Sequence, residues 1–246
     1  MKLTVIGFWG AYPEKNEATS CFLLEDAGTS ILLDCGSGAV AQLQNYLDLH
    51  TLDAVMLSHY HHDHVADLGV LTYSRVVDIN LKKTEIPLKI HAHKDDEAAF
   101  EKLRRPPFTE VTSYQHDSKV KIGPFTITFQ KTDHPAPCYA MRIESSETNH
   151  TIVYTADTTF QESLIPFARN ASLLIAETSF YADQSAEKFG HMNSKEVAML
   201  AEESETKEVI LSHLPHFGDH KQLVNEVAKT YSGKISLAET GKTWLL

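Results

Sequence analysis

The most restrictive feature of this chain is a run of metal-type side chains that starts where a run of apolar ones stops. Asp53-Ala54-Val55-Met56-Leu57-Ser58 has the length and unbroken apolar character of a strand buried on both faces, and His59-Tyr60-His61-His62-Asp63-His64 follows it directly. A chain built this way must bury a sheet and present a ligand cluster at the carboxyl end of one of its strands. In an extended segment residues two apart point the same way, so His59 and His61 can reach one ion. A turn after them swings Asp63 and His64 toward a second. Neutral imidazole and carboxylate are the donors expected for Zn²⁺, with Mn²⁺ and Fe²⁺ also compatible. A stray surface histidine run would bring neither the carboxylate nor the buried strand before it.

The rest of the pattern alternates between β-rich and α/β stretches. Leu3–Phe8, Ser20–Glu25 and Ser30–Asp34 read as short strands, the last two joined by the turn-like Asp26-Ala27-Gly28. Gly36-Ser37-Gly38 then leads into a helix over Ala39–Leu49, where apolar residues recur at helical spacing. Leu88–Ala92 reads as a strand and Asp95–Leu103 as a helix closed by Pro106-Pro107. Phe125–Lys131, Tyr139–Glu144 and Thr151–Thr155 form a second β-rich stretch. After it come a helix near Glu162–Arg169, a strand at Ser172–Glu177, a helix at Ser194–Glu203, a strand at Glu208–Ser212 and a helix at Lys221–Tyr231. Asn193 with Glu196 three residues later forms a capping-box pattern for the helix from Ser194. Meander then α/β, twice over, predicts two sheets packed face to face with helices outside, in a single domain spanning 1–246.

Composition narrows the function classes. A formal charge of −11 disfavours sequence-independent attraction to nucleic acid, which is held mainly by Lys and Arg. Bound divalent ions would still make one cleft locally positive and attractive to a small anionic substrate. The start of the chain has too short an apolar run for a secretory signal, and no segment approaches about 18 uninterrupted apolar residues, so a cytoplasmic protein without membrane association is expected. Cys21, Cys35 and Cys138 form no CxxC pair, and an odd count argues for reduced, buried thiols. The roles of Cys138 and of His216, close to His213 in sequence, stay open. Oligomeric state is likewise open, with a homodimer among the outcomes.

His59-x-His61-x-Asp63-His64 resembles the signature of the metallo-β-lactamase superfamily, and further positions match along nearly the whole chain. Asp34, in Leu32-Leu33-Asp34-Cys35-Gly36-Ser37-Gly38, resembles the family's strand-end aspartate, which orients a metal-ligating histidine from behind. Thr132-Asp133-His134 resembles the third-histidine element, Tyr154-Thr155-Ala156-Asp157-Thr158 the metal-bridging aspartate, and Leu211-Ser212-His213 the final histidine. The resemblance implies an α/β fold of the four-layer αββα sandwich type. It also implies two divalent ions, zinc foremost, one on His59, His61 and His134 and the other on Asp63, His64 and His213, with Asp157 between. Tyr60 and His62 occupy variable positions of the motif, expected behind the ligands or facing substrate.

Two matches that bind no metal select a branch. Leu174-Ile175-Ala176-Glu177-Thr178-Ser179-Phe180 resembles the His-Glu-Ala-Thr segment of ribonuclease Z, with Ala176 in place of its histidine and Thr178 in place of its alanine. Gly190-His191-Met192-Asn193-Ser194 resembles that enzyme's later His-Ser-Thr segment. In that family the glutamate and histidine together deliver a proton to the leaving oxygen, so the resemblance assigns Glu177 and His191 to phosphodiester chemistry. The bridging aspartate in place of a later cysteine ligand argues against antibiotic hydrolysis, and His61 against the flavodiiron branch, which has glutamate there. Ribonuclease Z also carries a long Gly/Pro-rich arm between its third histidine and bridging aspartate; here only 22 residues separate His134 from Asp157.

The reading that follows is a dinuclear phosphodiesterase for small nucleotide or cyclic phosphate diesters, similar to armless relatives such as the cyclic-phosphate phosphodiesterase of phosphonate breakdown. A water activated by both ions attacks phosphorus in line, Asp63 and Asp157 serve at the ions, and His191, oriented by Glu177, acts as general acid. The rivals are a ribonuclease Z-like tRNA 3′ endonuclease, a hydrolase of thioesters or lactones, and an inactive RNA-binding or scaffold protein.

Overall fold

The computed structural model describes residues 1–246. Its contacts divide into two compact units, Met1–Gln115 with Ile122–Pro124 and Thr240–Leu245, and His116–Lys121 with Phe125–Glu239 and Leu246. No helix is long and apolar enough to cross a membrane.

The first unit contains β1 (Lys2–Gly7), β2 (Cys21–Asp26), β3 (Thr29–Leu33), α1 (Ala39–Leu43), β4 (Ala54–Met56), α2 (His62–Val65), α3 (Leu68–Asn80), β5 (Leu88–His93), α4 (Glu97–Lys102), β6 (Thr109–Tyr114) and, from the chain's end, β14 (Thr243–Leu245). Its sheet runs β14-β1-β2-β3-β4-β5-β6, antiparallel as far as β3 and parallel from β3 to β6. Ala54, Val55 and Met56 are all buried between two parallel neighbours, which is why this strand reads as an unbroken apolar run. Leu23, Leu32, Val55 and Ile90 of the sheet pack with Val40, Leu43, Leu71 and Phe100 of the helices in one apolar cluster.

In the second unit lie β7 (Lys119–Ile122), β8 (Phe125–Lys131), β9 (Tyr139–Ser145), β10 (Thr151–Tyr154), α5 (Leu164–Ala168), β11 (Leu173–Glu177), α6 (Ser194–Glu203), β12 (Glu208–Ser212), α7 (His220–Val227) and β13 (Lys234–Leu237). The order β13-β12-β11-β10-β9-β8-β7 again joins an antiparallel meander to a parallel half. The repeated meander-then-α/β pattern expected from the sequence is therefore present, one copy per unit. The Asn193/Glu196 capping box forms as expected.

Several expectations need correction. The helix expected over Ala39–Leu49 stops at Leu43; Asn45 and Asp48, which compete with helical hydrogen bonding, follow it, and Tyr46 and Leu47 reach the core from turns instead. The last helix is His220–Val227 and ends short of Tyr231, which is buried outside it with its hydroxyl donating to the Thr206 carbonyl at 2.7 Å. The longest helix, α3, gives no one-sided apolar pattern because it is apolar on both sides. Leu68 and Leu71 are buried while Val70, Tyr73 and Val77 are exposed. All three cysteines are buried, free thiols, and burial pushes Cys21 and Cys35 well above the ordinary thiol range.

Candidate metal centre

In the first unit the donors cluster around one buried carboxylate. The chain leaves β3 at Asp34 with φ 58°, a left-handed conformation that costs a non-glycine residue about 1–2 kcal/mol and turns this side chain back under β4. Asp34, fully buried, accepts from the Ser58 amide at 2.7 Å, the Ser58 hydroxyl at 2.7 Å and Nδ1 of His64 at 2.7 Å. A carboxylate only accepts, so the Ser58 proton goes to Asp34. The hydroxyl oxygen then accepts from Nδ1 of His59 at 3.0 Å. One aspartate thus fixes the tautomer of two histidines, His64 directly and His59 through Ser58, and leaves Nε2 of each with its lone pair outward. Nε2 of His59 lies 3.1 Å from Nδ1 of His61, and Nε2 of His64 lies 3.8 Å from Oδ2 of Asp63, which also accepts from the Ala11 amide at 2.8 Å. Ligands about 2.0–2.2 Å from a common zinc ion sit at such separations from one another.

The second unit assembles its donors from separate strand ends. His134 follows β8, Asp157 follows β10, Glu177 ends β11 and His213 follows β12. Ala156 (φ 50°) and His213 (φ 51°) repeat the left-handed kink seen at Asp34. Nδ1 of His134 donates to the Gly190 carbonyl at 2.9 Å, which leaves Nε2 facing Oδ2 of Asp157 at 3.9 Å. Gly190 is itself left-handed (φ 77°), and a Cβ there would lie 2.8 Å from the His134 ring and 2.3 Å from Pro135. Asp157 is held by its backbone, the Thr132 hydroxyl donating to its carbonyl at 2.9 Å, and its Oδ2 also lies 3.5 Å from Nε2 of His213. Asp157 therefore stands between two imidazoles.

Glu177, 2% exposed, has another role. Oε1 accepts from the Thr158 amide (3.2 Å), the Met192 amide (3.1 Å) and Nδ1 of His191 (2.9 Å); Oε2 accepts from the Ser179 amide (3.3 Å) and hydroxyl (2.8 Å). The Ser179 oxygen in turn accepts from Nδ1 of His213 at 2.8 Å. Glu177, His191 and His213 come close enough together to hold an ion of their own. Five protein donors already fill the roughly four lone-pair directions of the Glu177 carboxylate, however, which makes it an orienter rather than a ligand. The His191 ring packs between those of His213 (5.0 Å) and His134 (5.4 Å), with its side chain 18% exposed.

The donor chemistry fits divalent metal ions. In each unit, imidazole nitrogens and a carboxylate oxygen lie 3.5–3.9 Å apart, too long for a hydrogen bond but within the span of two ligands on one cation. The sequence reading missed Ser58 and Ser179; the available signal was a small hydroxyl residue beside a ligand or a strand-end carboxylate. For Tyr60 the structure favours the first of the two expected placements, behind the ligands. Its hydroxyl donates to the His93 carbonyl and its ring joins the first unit's core, with burial pushing its pKa up, so it anchors the motif instead of facing substrate. His62 is exposed at the start of α2.

The pattern of the β-lactamase superfamily domain matches residues 29–214, well over half of the chain. The chain belongs to the β-lactamase superfamily. Within it, the probable metallo-hydrolase YhfI of Bacillus subtilis is 47% identical over 244 residues, covering 99% of both chains. The crystal structure of that metallo-β-lactamase fold protein superposes with a TM-score of 0.96 over 99% of this chain and 98% of that one. Ribonuclease Z of Haloferax volcanii is 22% identical in an alignment of 306 residues that covers 98% of this chain and 94% of that one. A diphosphatase from the PhnP family shares the fold, with a TM-score of 0.78 at 15% identity over 100% and 97% of the two chains. The expected αββα class of the metallo-β-lactamase fold is thereby established, and this superfamily member carries His/Asp sets able to bind metal.

Proposed function

We propose that this protein is a dinuclear metal-dependent phosphodiesterase for small nucleotide or cyclic phosphate diesters, in which the two ligand sets serve one centre. Superfamily membership and the similarity to YhfI support the coarser class, a metallo-hydrolase. His59, His61 and His134 would hold one ion, Asp63, His64 and His213 the other, with Asp157 shared. Divalent ions bound there, zinc foremost, supply Lewis acidity and bring a bound water's pKa to about 7.

The observation that carries the phosphodiester reading is the Glu177–His191 pair. With Nδ1 of His191 committed to Glu177 at 2.9 Å, Nε2 is the nitrogen left to give a proton to a departing alkoxide. A ring that is partly exposed and packed between two ligand-type histidines has the access this requires. Thioester cleavage has less need of such a donor, because thiolates leave readily.

Small substrates fit better than tRNA. The alignment with ribonuclease Z runs to 306 residues while this chain has 246, so that relative carries insertions absent here. A chain of formal charge −11 offers little sequence-independent attraction to a phosphate backbone, and binding to RNA is expected to be weak. The test is to assay purified, metal-analysed protein against linear and cyclic diesters, thioesters, lactones and precursor tRNA. Turnover of small diesters by protein with about two transition-metal ions per chain is the expected result. Activity confined to thioesters or lactones, or position-specific tRNA 3′ cleavage at physiological salt, would overturn the proposal.

A further inference from the structure

Two loops of the second unit carry the same dipeptide in the same setting. Phe189-Gly190 immediately precedes His191, and Phe217-Gly218 comes soon after His213. Both phenylalanines are 49% exposed, and both glycines are left-handed, at φ 77° and 79°. Each glycine lies where a Cβ would strike a fixed ring, Gly190 against His134 and Pro135, Gly218 against the Tyr181 hydroxyl at 2.3 Å. Each turn thus holds a half-exposed phenylalanine, close in sequence to a candidate site histidine and packed on one aromatic ring.

Phe189 has the more telling surroundings. Its ring lies parallel to that of Phe180, 5.5 Å away and inclined by only 8°; Phe180 lies 6.3 Å from the His191 ring, and His191 lies 5.0 Å from His213. A continuous row of rings runs from the exposed Phe189 to the proposed proton donor. The Lys188 ammonium, on an exposed and flexible stem, sits 4.7 Å from the Phe189 centroid. A flat two-ring stack suits a planar heterocycle better than a branched aliphatic group, and the adjoining cation suits an anion.

We propose that Phe189, backed by Phe180, is the platform on which the planar base of a nucleotide substrate stacks while its phosphate lies toward His191. Lys188 swings off the ring to the phosphate side as the base arrives. The proposal rests on the phosphodiesterase reading for its substrate class, and binding tests it without requiring turnover. Base–aromatic stacking strengthens binding by about 5- to 150-fold. Calorimetric titration of the metal-loaded protein with adenosine 5′-monophosphate and with ribose 5-phosphate should show the nucleotide bound roughly 10-fold or more tightly. Phe189→Ala should erase that preference while leaving ribose 5-phosphate binding unchanged, and Phe189→Trp should preserve it. With diesters, Phe189→Ala should raise KM and leave kcat unaltered. No preference in the wild type, or a preference that survives in Phe189→Ala, overturns the platform. A preference that follows Phe189 in a protein that turns over no diester supports the platform and refutes the phosphodiesterase reading alone.

Discussion

Asp34 in the first unit and Glu177 in the second hold their histidines by the same wiring. Asp34 binds His64 directly and His59 through Ser58; Glu177 binds His191 directly and His213 through Ser179. The difference lies in what the directly held ring meets. The His64 side chain is fully buried, with its Nε2 3.8 Å from Oδ2 of Asp63. The His191 side chain is 18% exposed. On the proposed assignments, the same carboxylate–histidine contact fixes a metal ligand at His64 and aims a proton donor at His191, and the two rings differ in exposure.

The variant expected to do most damage strikes what the second unit shares between its histidines. Asp157→Ala removes the carboxylate that stands between His134 and His213, and should lower kcat/KM roughly 10⁴-fold on alkyl and nitrophenyl diesters alike, with metal lost on elemental analysis. His191→Ala should be selective instead. Alkoxide leaving groups need a proton as the phosphorus–oxygen bond breaks, whereas p-nitrophenolate leaves as a stable anion. Turnover of ribose or alkyl diesters should fall about 10²–10⁴-fold and that of bis-p-nitrophenyl phosphate far less, with metal content retained. Equal losses on both substrates would reduce His191 to a positioning residue and erase the proposed contrast with His64.

Next in size come the two carboxylates. Asp34→Asn should weaken metal binding about 10- to 100-fold, measured by competition with a chelating dye, because its two histidines are both candidate ligands. Glu177→Gln touches one candidate ligand and one proposed acid, so its larger effect should be on alkyl diester turnover. If it strips metal as thoroughly as Asp34→Asn does, the two networks are equivalent and the distinction fails.

The units also differ in how far the sequence disclosed them. The first unit's donors lie on one continuous stretch after a strand whose double burial makes it apolar throughout, so spacing alone marks His59, His61, Asp63 and His64. The second unit draws on four strand ends, and no local spacing links His134, Asp157 and His213; only the order of β-like runs and the family resemblance did. Ser58 and Ser179 left only a weak signal, a small hydroxyl near a ligand or a strand-end carboxylate, because a hydroxyl's partner depends on the three-dimensional path of a kinked backbone, at Asp34 and His213. The helix α3 was missed for a different reason, since its apolar outer face removes the one-sided period on which helix reading rests.

The smallest effects should come from the two serines, and they test most directly whether the two sets serve one centre. Ser58→Ala and Ser179→Ala each leave a buried imidazole N–H without its acceptor and a carboxylate short of one donor, at a cost of about 1–3 kcal/mol. For a chain of this size that corresponds to a Tm lowered by about 2–4 °C per kcal/mol. In metal-free protein the two losses should add within about 0.5 kcal/mol, because the serines lie in separate networks with no shared partner. With metal bound the expectation changes. If both sets grip the same pair of ions, loosening His59 relaxes the geometry that His213 must match, and the double variant should depart from additivity in metal affinity by about 0.5–3 kcal/mol. A four-member cycle of thermal melts and metal titrations, run with and without metal, reads both quantities. Additivity in both conditions would mean that each unit holds its ions independently, and the shared dinuclear centre would have to be abandoned even if every ligand assignment within a unit survived.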